Sequence, residues 1–142
     1  QNVTSQGEPG SNVTFSDVDF PVFRLADAYL MYAEAAVRGG GDLNRAVTLV
    51  NELQARAGLA GDLTTSDLTL DFILAERSRE LLWEGHRRTD LIRFDEFTGA
   101  LDWPWTQIQS FSSDDTRKLF PLPGSELRAN PTLEQNPGYT DE

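Results

Sequence analysis

The chain has 142 residues, 39% of them hydrophobic, with 12 Lys+Arg against 23 Asp+Glu, a formal net charge of −11. That acidity argues against nucleic acid, whose phosphates call for a basic face, and against anionic lipid. With no cysteine and one histidine, the sequence excludes disulfides, thiolate metal sites and cysteine nucleophiles, and leaves a histidine-based zinc site without its second histidine.

Residues 1–19 are polar and rich in Gly, Ser, Asn and Thr, and read as a flexible leader. Asn2-Val3-Thr4 and Asn12-Val13-Thr14 match the glycosylation pattern, which a bacterial protein normally leaves unmodified. Helical spacing predicts a first helix over 23–38, packed through Leu25, Tyr29, Tyr32, Ala33 and Ala36. Gly39-Gly40-Gly41 ends it, because glycine supplies left-handed conformations and does not sustain a helix. Asp42 is placed to cap a second helix over 43–57, in which Leu43, Ala46, Val47, Val50, Leu53 and Ala57 repeat before Gly58 stops it. The two read as an antiparallel hairpin, with a weak likeness at Gly41-Asp42 and Ala46 to a tetratricopeptide repeat.

After a loop over 60–68, Thr69 or Ser66 caps a third helix over about 70–84. Gly85 breaks or bends it, and a fourth helix over 87–96 carries Leu91, Ile92 and Phe94. Beyond 97, Trp103-Pro104-Trp105, the Ser112–Asp115 cluster and Pro121, Pro123, Pro131 and Pro137 exclude long helices. The expected fold is mostly α: two antiparallel TPR-like helical pairs (20–97) plus a long irregular, proline-rich C-terminal arm (98–142) packed over them. The arm should have a helical turn near Ser125–Ala129, anchors at Leu122, Leu133 and Tyr139, and local backbone bonds from Asn130 and Asn136. The whole is a single domain or a domain fragment. Two helical pairs rarely bury their faces alone, so the arm or the rest of a longer protein should cover them.

Charges sit inside an apolar stripe. Leu70, Leu74, Arg77, Leu81 and Glu84 share one helix face, flanked by Ile73 and Glu80. An arginine in such a stripe should be paired, since an unpaired buried charge costs several kcal/mol. Glu80, Glu84 and Asp90 are the nearest acids, and Arg88 and Arg93 add donors. Arg77, Glu80, Glu84, Arg88, Asp90 and Arg93 therefore read as a structural ion network. Glu76, Glu80 and Glu84 line up for acid–base or metal chemistry, but arginines outnumber them and should occupy their oxygens. His86, between Gly85 and Arg87, reads as a hydrogen-bonding residue at a hinge. No nucleophile elbow and no phosphate loop occurs, so no catalytic residue, metal or cofactor is expected. Trp103 and Trp105 are the candidate ligand-binding residues, because indole faces stack on sugar rings; the competing reading is a plug in the helical core.

Three ordered segments resemble the SusD/RagB family. Glu76-Arg77-Ser78-Arg79-Glu80-Leu81-Leu82-Trp83-Glu84-Gly85-His86-Arg87-Arg88-Thr89-Asp90-Leu91-Ile92-Arg93 looks like its E-R-x-x-E-L-x-x-E-G-x-R-x-x-D-L-x-R segment. Arg24-Leu25-Ala26-Asp27 through Ala33-Glu34-Ala35 looks like its R-x-A-D-x-x-L-x-x-A-E-A helix. Phe120-Pro121-Leu122-Pro123, Asn130-Pro131 and Gln135-Asn136-Pro137-Gly138-Tyr139 look like its P-I-P…N-P-x-L-x-Q-N-P-G-Y ending. Leu122 stands where isoleucine is commoner, and Asp95 where glycine is common.

The resemblance implies an outer-membrane, cell-surface nutrient-binding lipoprotein that takes up glycan or another nutrient with a TonB-dependent (SusC-like) transporter. This chain would be its C-terminal part, with the lipid anchor on the part before it. No apolar run approaches the roughly 18 residues of a membrane helix. A TPR-like peptide-binding adaptor is the alternative, and should show an open groove on the inner helix faces. A hydrolase on a helical scaffold is the third reading.

Overall fold

The computed structural model describes residues 8–11, 22–98 and 115–140. They are mostly helical, with no strand among them. The chain forms two compact units, residues 1–87 and 88–142.

In the first unit α1 (Leu25–Ala35) buries Ala26, Asp27, Leu30, Ala33 and Glu34, which recur as one helical stripe. The sequence reading had put Leu25 and Tyr32 on the packed face; both are exposed. The stripe is carried by Leu30, small residues and two carboxylates, while Leu25, Met31 and Tyr32 look outward. The helix widens into a π-turn over Ala36–Gly40, where Gly39 takes φ 101°, a left-handed conformation that glycine adopts without cost. α2 (Leu43–Arg56) starts at Asp42, whose carboxylate accepts from Asn44 N at 2.8 Å and Arg45 N at 3.3 Å. It buries Ala46, Leu49, Val50 and Leu53. It closes in a Schellman turn, Leu59 N donating to Gln54 O at 2.9 Å and Gly58 N to Ala55 O at 3.0 Å.

The loop that follows is pinned by Asn51. Its amide donates to Leu63 O and accepts from Leu63 N, both at 3.0 Å. Thr69 then caps α3 (Leu70–Glu80), accepting from Phe72 N at 3.1 Å. α1 packs against both α2 and α3. Leu30, Val50 and Ile73, one from each helix, are fully buried.

Helix α3 stops at Glu80, short of the expected 84, because Leu81 leaves helical dihedrals and Trp83 takes φ 67°. Arg24, the extended residue before α1, closes that end. Its Nη2 donates to Glu80 O at 2.7 Å and its Nη1 to Glu80 Oε1 at 3.0 Å. Its Nε reaches Glu84 Oε2 at 2.9 Å and its Nη2 lies 2.8 Å from Glu84 Oε1. The hydrogen bond to Glu84, then that to Glu80, holds the Arg24 pKa above its ordinary value against the opposing effect of burial. Arg56 at the end of α2 completes the set, its Nη2 lying 2.6 Å from Glu80 Oε2.

Arg77 is buried to 3% exposure, as the leucine stripe requires. One carboxylate contact is with an acid the sequence reading did not nominate: Nη1 lies 2.8 Å from Asp27 Oδ1 on α1. Glu80 and Glu84 are instead held by Arg24 and Arg56. An acid three residues from Arg24 on α1 thus answers an arginine three residues before Glu80 on α3.

The second unit begins within α4 (Arg87–Arg93), which stops earlier than the expected 96. It too ends in a Schellman turn, Glu96 N to Leu91 O at 2.8 Å and Asp95 N to Ile92 O at 3.1 Å. Asp95 sits at φ 61°, which accounts for glycine being common at this position; aspartate is among the residues that tolerate it. A 3₁₀ turn (Asp115–Lys118) and a short α5 (Gly124–Ala129) follow, the latter at the expected place.

The arm is not simply extended: it folds on its own proline segment. Pro121 and Pro123 have no N–H, so the backbone around them cannot join a ladder, and side chains of the last motif satisfy it. Gln135 accepts from Leu122 N at 2.8 Å and donates to Leu122 O at 3.0 Å. Asn136 donates to Phe120 O at 2.7 Å, and Tyr139 Oη to Leu119 O at 2.9 Å. Asn130 bonds locally as expected, accepting from Thr132 N at 3.2 Å; Asn136 does not, because the proline segment offers it a free carbonyl. Gly138 combines φ 85° with a close approach: a Cβ there would lie 2.6 Å from Thr116 Cγ2.

Two outcomes follow for stability. Arg77→Ala strands a buried carboxylate and should cost about 3–5 kcal/mol. In urea titrations its double-mutant cycle with Asp27→Ala should show a coupling of about 1–3 kcal/mol; zero coupling refutes the pairing. Gly138→Ala meets both a left-handed backbone and Thr116, and should destabilise by more than about 1 kcal/mol. An unchanged denaturation midpoint would show that the clip does not hold that glycine in place.

Candidate functional site

The expected ion network is distributed between the two units. Arg77, Glu80 and Glu84 lie in the first, in the contacts just described. Asp90 is almost fully buried in the second and pairs with Arg93 Nη2 at 2.9 Å. Arg88 departs from the expectation of an acidic partner. Its guanidinium lies over Phe120, 4.0 Å from the ring centroid, and over Phe97 at 4.9 Å. Its Nη2 donates to Arg117 O at 2.8 Å and Lys118 O at 3.2 Å. Carbonyls on Nη2 and the two π-faces stand where a carboxylate was expected. Trp103 and Trp105 lie outside the described residues.

Around Arg88 is a cavity of ≈ 270 Å³, lined by Phe97, Thr98, Arg117, Leu119, Phe120 and Tyr139. Its walls are largely apolar and aromatic. Arg88 and the Tyr139 hydroxyl are already engaged with backbone carbonyls. A second concavity, ≈ 390 Å³, lies in the first unit beside Arg24, Leu25, Tyr29, Glu52, Leu53 and Arg56. Its two arginines are held by Glu80. Among the described residues, neither hollow's lining pairs a serine, threonine or cysteine nucleophile with a histidine base. Among the described residues no group of three or more His, Asp or Glu is placed to hold a metal ion. No helix among them is long and apolar enough to cross a membrane.

Sequence reasoning missed Arg24, Asp27 and Arg56 as members of the charged cluster. The first two stood in the R-x-A-D motif, three residues apart, with the same spacing and the same order, arginine then acid, as Arg77 and Glu80. Complementary spacing of charges in two helical motifs was the available signal. It also passed over the turn after α3, where Leu82 and Trp83 are exposed while Leu81 is buried.

Comparison with known proteins now places this architecture. A model of the SusD family matches residues 2–139. The chain is 39% identical to the starch-binding protein SusD of Bacteroides thetaiotaomicron, over 98% of this chain and 25% of that protein. It is 33% identical to SusD-like protein P38 of Formosa agariphila, over 89% of this chain and 26% of that one. Among solved structures, a SusD superfamily protein from Bacteroides vulgatus superposes with TM-score 0.71 at 32% identity, over 94% of this chain and 31% of that one. The chain thus spans about a quarter of the length of these curated relatives. The ordered motifs, the mostly helical fold and these matches agree: the chain belongs to the SusD family.

Proposed function

We propose that this chain is part of a SusD-like receptor at the cell surface that binds glycan for uptake and does not turn it over. The observation that carries this is its 39% identity, over nearly its whole length, to a protein named for starch binding. The arginine-braced helices of the first unit fit a module that holds and presents a ligand. The working partner is a TonB-dependent (SusC-like) outer-membrane transporter, and the place is the outer membrane, with the lipid anchor carried on sequence before these residues.

Trp103 and Trp105 remain the proposed sugar contacts. Pro104 between them restricts the preceding residue to extended backbone, and an indole presents a broad apolar face to a sugar ring. The test is calorimetric titration of the full-length protein with a panel of oligosaccharides, starting with the starch class. We expect saturable binding, weakened about tenfold, or about 1.4 kcal/mol, by Trp103→Ala or Trp105→Ala. No binding to any glycan would overturn the proposal; binding indifferent to both substitutions would remove the tryptophans from it. Incubated with the same oligosaccharides, the protein should release no shorter products in chromatography.

A further inference from the structure

No further inference is drawn: the strongest candidate, the concavity between α1 and α2 beside Tyr29, Glu52 and Arg56, lies open on a chain that spans about a quarter of the length of its curated relatives, and nothing in the structure shows what covers it.

Discussion

The first unit depends on how Glu80 is satisfied. Its side chain is 8% exposed, so its charge is largely withdrawn from water, and such a group is tolerated only with donors arranged around it. Those donors come from outside α3. Arg24 precedes α1 and Arg56 ends α2, so the carboxylate ties together three helices that are far apart in sequence. Arg24 also donates to the Glu80 carbonyl, which would otherwise be one of the free acceptors at a helix C-terminus. One guanidinium thus neutralises a charge, ends a helix and shapes the turn beyond it. Lysine, with a single ammonium, could not reproduce the planar, multiply bonded arrangement.

The two motifs of the first unit are halves of one device. Read alone, Arg24 and Asp27 are a first-turn pair on a helix, and Arg77, Glu80 and Glu84 are charges misplaced among leucines. Folded, Asp27 answers Arg77 and Arg24 answers Glu80 and Glu84. Hydrophobic contact brings α1 against α3 but is non-directional; the charges fix register, since a slip by one turn would leave several buried ions unpaired at once. The second unit solves a different problem with neutral groups. Its prolines deny the backbone a ladder, and Gln135, Asn136 and Tyr139 supply the missing partners. In both units a polar motif is explained by a backbone or charge that the other motif leaves unsatisfied.

That pairing explains what the sequence disclosed and what it withheld. Helix starts were legible wherever capping chemistry was local: Asp42 and Thr69 cap where their side chains and the following spacing require. Two ends were less legible. α3 stops at Glu80 because of an arginine distant in the chain, and α4 stops before Asp95 because that residue takes a left-handed backbone that aspartate does not announce as glycine would. The burial of Arg77 was legible from the leucine stripe, since geometry on one helix decides it. Its partner Asp27 was not, since only tertiary structure says which helix comes next. The packed face of α1 was read correctly at Ala33 and Ala36, which are buried, and incorrectly at Leu25 and Tyr32, which are exposed; apolar spacing alone does not say where the buried stripe is centred. Arg88 was assigned to the ion network from its neighbours in sequence, yet Phe97 and Phe120 meet its charge with π-faces, an interaction that no linear spacing encodes.

A scaffold built this way separates holding from contacting. The charges that fix the helices are spent on one another: Glu80, Glu84 and Arg24 have their main bonding capacity occupied within the first unit. Several large apolar or aromatic side chains do remain outward, at Phe23, Leu82, Trp83 and, in the second unit, Phe120. Such surfaces bind by burial and shape, so their selectivity comes from where they are placed and not from their own polarity. Rigid placement is what the arginine brace and the glutamine–asparagine clip provide. It follows that substitutions in either device should act on binding through geometry, altering surfaces they do not themselves form. Substitutions at the exposed aromatics should instead leave the fold intact and change only what it can hold.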